Sequence, residues 1–115
     1  MPHFLLHTTT DTIALEQEER FLQAIHEEAV ASGLFAEKDI KVRMDRYEKS
    51  MVGGKVNAPF VHVFGYIMQG RTTEMKAVLS KSIVARLTDM LPDIQAIAMN
   101  VDDFEAATYC NRAKL

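Results

Sequence analysis

Few residues in this chain have both the type and the placement to do chemistry, and the first is Pro2. If Met1 is trimmed, which a small second residue such as proline permits, the chain begins with a secondary amine at the mouth of a predicted strand. An α-amino group has a reference pKa of about 8, and burial in an apolar site beside cations disfavours the ammonium and moves that value toward neutrality. Such an amine can take a proton from one carbon and return it to another. The ring fixes φ, so few torsions blur the aim of the nitrogen. With Met1 still attached, the same nitrogen is an amide without basicity. In an arbitrary sequence a Met-Pro start serves only to open an edge strand, where the missing N–H costs nothing.

Proton abstraction beside a carbonyl also needs positive charge where the oxyanion develops. Lys41 and Arg43 alternate onto one face of a predicted strand over residues 40–47, opposite Ile40, Val42 and Met44. Arg71 follows Gly70 at a turn into a predicted helix, whose first N–H groups also favour an anion. These cations would lower the ammonium pKa of Pro2, because like charges disfavour its protonated form. By itself each is an ordinary solvated charge. Phe35, Phe64 and Tyr66 are available to line a water-poor pocket. His62 lies in an apolar strand and reads as a core histidine. His3 and His7 share strand parity but have no carboxylate or cysteine at ligand spacing, so they do not form a metal site.

The elements that must position these residues read as strand, helix, strand, twice over. The first strand spans His3 to Thr9, and a helix runs from about Ile13 to Ser32, with Phe21, Leu22, Ile25, Ala29 and Val30 at three- and four-residue steps. The strand over 40–47 precedes a loop from Ser50 to Pro59, rich in turn residues and a possible lid. A strongly apolar strand covers Phe60 to Met68. A second helix carries Met75, Val78, Leu79, Ile83, Leu87 and Leu91 as far as Pro92, and a last strand spans Ile94 to Val101. The acidic pair Asp102-Asp103 leads into a tail, Phe104 to Leu115, that forms a short strand or an arm. Each helix is long enough to cross back over the sheet, so each unit pairs its strands in parallel. The expected fold is α/β (α+β): two βαβ units form a four-stranded sheet with two helices on one face. The other face then presents Phe60, Phe64, Tyr66, Met68 and alanines, an apolar surface that predicts a closed oligomer with sheets facing inward.

Bulk properties exclude several classes. The chain has 115 residues, 48% of them hydrophobic, which suits one domain over residues 1–115. Its 13 Lys and Arg residues are scattered and the net charge is -3, so no nucleic-acid partner is expected. The single cysteine, Cys110, fits a reducing compartment, and neither a secretory signal nor a membrane span is found. The expectation is a cytoplasmic protein with no membrane partner.

Five stretches taken together carry a resemblance. Met1-Pro2-His3-Phe4, Ser32-Gly33-Leu34-Phe35, Ile40-Lys41-Val42-Arg43, Phe60-Val61-His62-Val63 and Gly70-Arg71 are similar, in order and spacing, to 5-carboxymethyl-2-hydroxymuconate Δ-isomerase of the tautomerase superfamily. The resemblance runs almost end to end. It implies a homotrimer, an amino-terminal proline as general base, and no metal or organic cofactor. It also implies an isomerase acting on an unsaturated 2-hydroxy or 2-oxo (di)carboxylate in the breakdown of aromatic acids, with arginines holding carboxylate and carbonyl oxygens. By that pattern Pro2 and Arg71 are catalytic, and Lys41, Arg43 and Phe35 contact the substrate. The second-strand arginine of the family aligns with Lys41, a point charge in place of a planar fork, and Arg43 on the same face is placed to substitute for it in part. Two rivals remain: a non-catalytic oligomeric carboxylate-binding protein on the same scaffold, and an unrelated ferredoxin-like interaction module, for which antiparallel pairing would be diagnostic.

Overall fold

A computed structural model describes residues 1–115. The main strands are β1 (His3–Thr9), β2 (Lys41–Tyr47), β5 (Val61–Met68) and β6 (Ile97–Phe104), and a small hairpin is formed by β3 (Met51–Val52) and β4 (Lys55–Val56). The helices are α1 (Glu18–Ala31) and α2 (Thr73–Met90). The sheet order is β2-β1-β5-β6. Within each βαβ unit the strands pair in parallel, β1 with β2 and β5 with β6, and the two units meet antiparallel at β1 and β5. Parallel pairing inside both units is the predicted topology and separates this chain from the ferredoxin-like alternative.

Alternation decides which side of the sheet the helices cover. Phe4 and Leu6 of β1, with Val61, Val63 and Ile67 of β5, are fully buried. Phe4, Leu6, Val61 and Val63 form one core with Phe21, Ile25 and Ala29 of α1 and Leu79, Ile83 and Leu87 of α2. Full burial of each of the larger side chains among these, Ala29 apart, contributes about 1.5–3 kcal/mol. Gly65 sits in the same inward row: a Cβ there would lie 2.9 Å from the Met99 Cε and 3.4 Å from the Phe4 ring, so the row is filled by its neighbours. The opposite face carries His3, Leu5 and His7, Lys41, Arg43 and Asp45, and His62, Phe64 and Tyr66 in neighbouring registers. The apolar face expected there is therefore interleaved with charged groups and imidazoles. Phe60 lies before β5, where its carbonyl accepts the Thr8 hydroxyl at 2.9 Å.

The structure moves several boundaries. The first α-helix starts at Glu18, after a 3-10 turn over Leu15–Gln17. The threonines before it satisfy one another and the backbone: the Thr9 and Thr12 hydroxyls are bonded, and Thr10 Oγ1 donates to the Tyr47 carbonyl at 3.1 Å. Ile13, read as a helical position, is instead a buried anchor in the connecting segment. In α2, Met75 and Val78 are 46% and 66% exposed, because the buried stripe narrows to Leu79, Ile83 and Leu87. Thr72 caps this helix by accepting from the Met75 N–H at 3.1 Å.

Residues 50–59, expected to be a loop, contain the hairpin. Gly53 and Gly54 have φ of 56° and 83°, the left-handed pair that a two-residue hairpin turn requires. Asn57 closes its base, donating its N–H to the Ser50 carbonyl at 2.8 Å while its side-chain oxygen accepts from the Ser50 N–H at 3.3 Å. The last strand is displaced by three residues and includes the acidic pair. Asp103 accepts from Lys76 of α2 at 2.9 Å, and Asp102 accepts from the Asn100 amide at 2.6 Å. Two short 3-10 turns, Ala106–Thr108 and Arg112–Lys114, replace the expected strand or arm in the tail. No helix is long and apolar enough to cross a membrane.

Candidate active site

Parallel pairing of β1 with β2 brings the amino terminus to the cations. The register sets His3 beside Lys41 and Leu5 beside Arg43, and the Lys41 N–H donates to the Pro2 carbonyl at 3.1 Å. Pro2 itself is fully buried. By strand parity its ring shares the inward side with Phe4, while Met1 shares the open side with His3. The Met1 ammonium and the Lys41 ammonium both donate to the Asp39 carbonyl, at 3.1 and 3.2 Å. Desolvation first, and then the charge of Lys41, lower the pKa of the terminal amine below its ordinary value.

An open cavity of about 440 Å³ begins at this terminus. Met1, His3 and Arg43 line one side, and Tyr66, Phe104 and Tyr109 line the other. Tyr109 is folded against Phe104 with ring centroids 5.8 Å apart, so the tail shapes the cavity of its own chain. Neither Lys41 nor Arg43 belongs to any ion pair in the structure. Arg43, a positive charge without a protein counter-ion that faces a cavity with aromatic walls, suits a flat carboxylate. A second cavity of about 370 Å³, at the carboxyl ends of β1 and β2, is lined by Thr9, Thr10, Asp11, Thr12 and Glu48. Its acidic groups disfavour the same ligand.

Arg71 and Phe35 occupy the helix side of the strand end. The Arg71 guanidinium donates to the Leu34 carbonyl at 2.6 Å and to the Met68 carbonyl at 3.3 Å. It also lies 5.2 Å from the centroid of the Phe35 ring, which packs edge-on against Phe4 at 6.0 Å. Arg71 thus ties the exit of α1 to the end of β5. We expect Arg71→Met to lower stability by about 1–3 kcal/mol, because two partly buried carbonyls lose their donor, with urea denaturation as the measurement. An unchanged midpoint would show that water replaces the guanidinium without cost.

The structure brings together Met1-Pro2, Lys41 and Arg43, and places Arg71 with Phe35 on the other side of β1. From its type and spacing alone, His3 is a candidate only for metal ligation. Its proximity to Arg43, 3.0 Å from guanidinium nitrogen to His3 Nδ1, depends on the parallel register. Parity put both on an outward face, but no local signal sets two strands 40 residues apart side by side.

Two βαβ units joined antiparallel at β1 and β5, with the amino terminus of β1 opening into a cation-lined cavity, define a protein of the tautomerase fold. The sequence matches the family model of 5-carboxymethyl-2-hydroxymuconate isomerase over residues 2–113, and the chain belongs to that family. Among solved structures, Pt0534 inactivated by 2-oxo-3-pentynoate superposes with a TM-score of 0.88 at 16% identity, covering 98% of this chain and 94% of that one. A wild-type fused 4-OT, described as a symmetric trimer, gives 0.85 at 19% identity, with 98% and 94% covered. A member of the cis-3-chloroacrylic acid dehalogenase family gives 0.83 at 14%, with 98% and 82% covered. At these identities the structures establish the fold alone. No curated protein matches the chain by sequence. Family membership supports an isomerase or tautomerase function.

Proposed function

We propose that the chain is a cofactor-independent isomerase that moves a proton between carbons of an unsaturated 2-hydroxy or 2-oxo (di)carboxylate resembling 5-carboxymethyl-2-hydroxymuconate. Pro2, freed by removal of Met1, is the base. The observation that carries this reading is the position of the amino terminus, desolvated and beside Lys41 at the edge of an aromatic-walled cavity. Pro2 takes a proton from the hydroxyl of a 2-hydroxy substrate, or from carbon of its 2-oxo form, and delivers it to a different carbon, so the reaction neither gains nor loses a proton. Arg43, with Lys41 next to it, holds the carboxylate and the oxygen on which charge develops. Arg71 contributes fixed positive charge from the helix side, which disfavours the Pro2 ammonium, and Phe35 keeps water from that side of the strand end. The tautomerase-fold relative inactivated by 2-oxo-3-pentynoate supports a 2-oxo acid as the ligand class. The relative described as a symmetric trimer supports a homotrimer, with the open sheet faces turned toward one another. The single, free cysteine fits a reducing compartment, in keeping with a cytoplasmic enzyme, and the family description fits a role in aromatic-acid breakdown.

The test pairs intact mass of protein from its native host with a spectrophotometric screen of 2-hydroxymuconate analogues. Loss of the Met1 mass together with ketonisation of at least one analogue is the expected result. Active protein that quantitatively retains Met1 would rule out Pro2 as base. The second reading is a carboxylate-binding protein without turnover, favoured by Lys41, whose ammonium is bound to a main-chain carbonyl. It predicts saturable binding of the same analogues with no spectral change.

A further inference from the structure

The Arg43–His3 contact has consequences for the proton on the imidazole. A guanidinium carries only donors, so the 3.0 Å approach of Arg43 Nη1 to His3 Nδ1 requires Nδ1 to be the accepting, unprotonated nitrogen. An imidazolium would set N–H against N–H. The only arrangement that satisfies the contact is the neutral tautomer with hydrogen on Nε2. Nδ1 makes the single side-chain hydrogen bond of His3, and the ring lines the cavity that begins at the amino terminus. His3 follows Pro2 directly, on the face where Met1 lies before trimming. Burial first, then Arg43, Lys41 and the terminal amine, hold the His3 pKa below its ordinary value, which agrees with the tautomer that the geometry demands.

We propose that His3 is a further catalytic residue: a neutral imidazole, fixed in its Nε2–H form by Arg43, that donates a hydrogen bond to the substrate oxygen on which charge develops. The inference rests on the isomerase reading above. The hydrogen stays on Nε2 throughout, and the proton that changes position is carried by the Pro2 nitrogen alone. A preorganised neutral donor stabilises an enolate oxygen without adding a further full charge to those of Lys41 and Arg43 near the amine, which must itself accept a proton during the reaction. Arg43 then acts twice, as an anion holder and as the group that selects the tautomer. His7 and His62, farther along the same face, are engaged elsewhere: His7 with the Tyr47 hydroxyl at 3.1 Å, and His62 with Asn100 at 2.5 Å.

The experiment uses the trimmed full-length protein with 2-hydroxymuconate as substrate. His3→Phe is expected to lower kcat about 100-fold with little change in KM, the pattern of a donor used in the transition state. His3→Gln keeps an acceptor for Arg43 and a donor for substrate, and is expected to recover most of the loss. On the unmutated protein, nitrogen-15 NMR at neutral pH should show His3 with hydrogen on Nε2, and Arg43→Met should release that preference. Wild-type kcat in His3→Phe, or an Nδ1–H or doubly protonated ring in the unmutated protein, overturns the proposal. The ring measurement decides the matter even if His3→Phe fails to fold. Pro2→Ala is assayed in parallel. Full activity in that variant defeats the isomerase reading itself, whereas a slow Pro2→Ala beside an unimpaired His3→Phe removes only the role of His3.

Discussion

Protein that retains Met1, or whose Pro2 amine has been acylated, is expected to ketonise 2-hydroxymuconate roughly 10²–10⁴ times more slowly than trimmed protein, the usual contribution of a positioned acid–base group. Acylation turns the ring nitrogen into an amide, whose lone pair is delocalised into the carbonyl and accepts no proton at neutral pH. The Met1 amine is not a substitute. It is one residue displaced and already donates to the Asp39 carbonyl at 3.1 Å. The fold should hardly notice, since that is the one hydrogen bond the terminal ammonium makes and the Pro2 ring, buried here, is common to both forms. Mass spectrometry assigns the two forms, thermal melts compare their stability, and initial rates compare their activity. Equal rates from both would remove the amine from the mechanism. A loss of rate that tracks a loss of folded protein would make the effect structural.

Replacing Arg43 should have the next largest consequence. Arg43→Ala is expected to lower kcat/KM about 10²-fold, with both kcat and KM affected, because the guanidinium holds the ground-state carboxylate and supports the developing oxyanion. The structure gives Arg43 no acidic partner and exposes it to the cavity, so its charge is available to a ligand. Stability should change little, for the side chain lies outside the core. Arg43→Lys keeps the charge but loses the planar fork and the geometry of its contact with His3, and an intermediate rate is expected. Added salt should raise KM of the unmutated protein more than that of Arg43→Ala, since an exposed cation is screened. Steady-state kinetics at two ionic strengths check both statements. A wild-type kcat/KM in Arg43→Ala would transfer the anion-holding role to Lys41 or Arg71.

The sequence carried the fold further than it carried the site. Strict alternation from Ile40 to Met44 and the two apolar helical stripes were enough to infer two βαβ units, and the face bearing Lys41 and Arg43 followed from the same period of two. The hairpin was hidden because strands of two residues, Met51–Val52 and Lys55–Val56, show no period. Asp102 and Asp103 looked like the end of a strand. They continue it because Asn100 and Lys76, one of them distant in sequence, satisfy their carboxylates. Threonine hydroxyls that bond to one another and to Tyr47 delayed the start of the first helix beyond what hydrophobic spacing indicated. Arg71 was legible as a cation at a helix start, but its grip on the Leu34 and Met68 carbonyls depends on the packing of two loop ends. His3 is the sharpest case: its type and parity were visible, whereas its contact with Arg43 exists only once two strands separated by a whole helix lie side by side.

The pKa of the Pro2 nitrogen in trimmed protein is the most direct test of this account, and nitrogen-15 NMR of proline-labelled protein measures it. Burial and the charge of Lys41, which lower the pKa of the amine at this terminus, also bear on the Pro2 nitrogen once Met1 is gone, so its value should fall below the ordinary α-amino value of about 8. The acid limb of kcat/KM should follow the same ionisation, with activity rising as pH rises through it and the amine loses its proton. A Pro2 amine that titrates at or above the ordinary value, or a rate profile indifferent to its protonation, would contradict the claim that this nitrogen is the base.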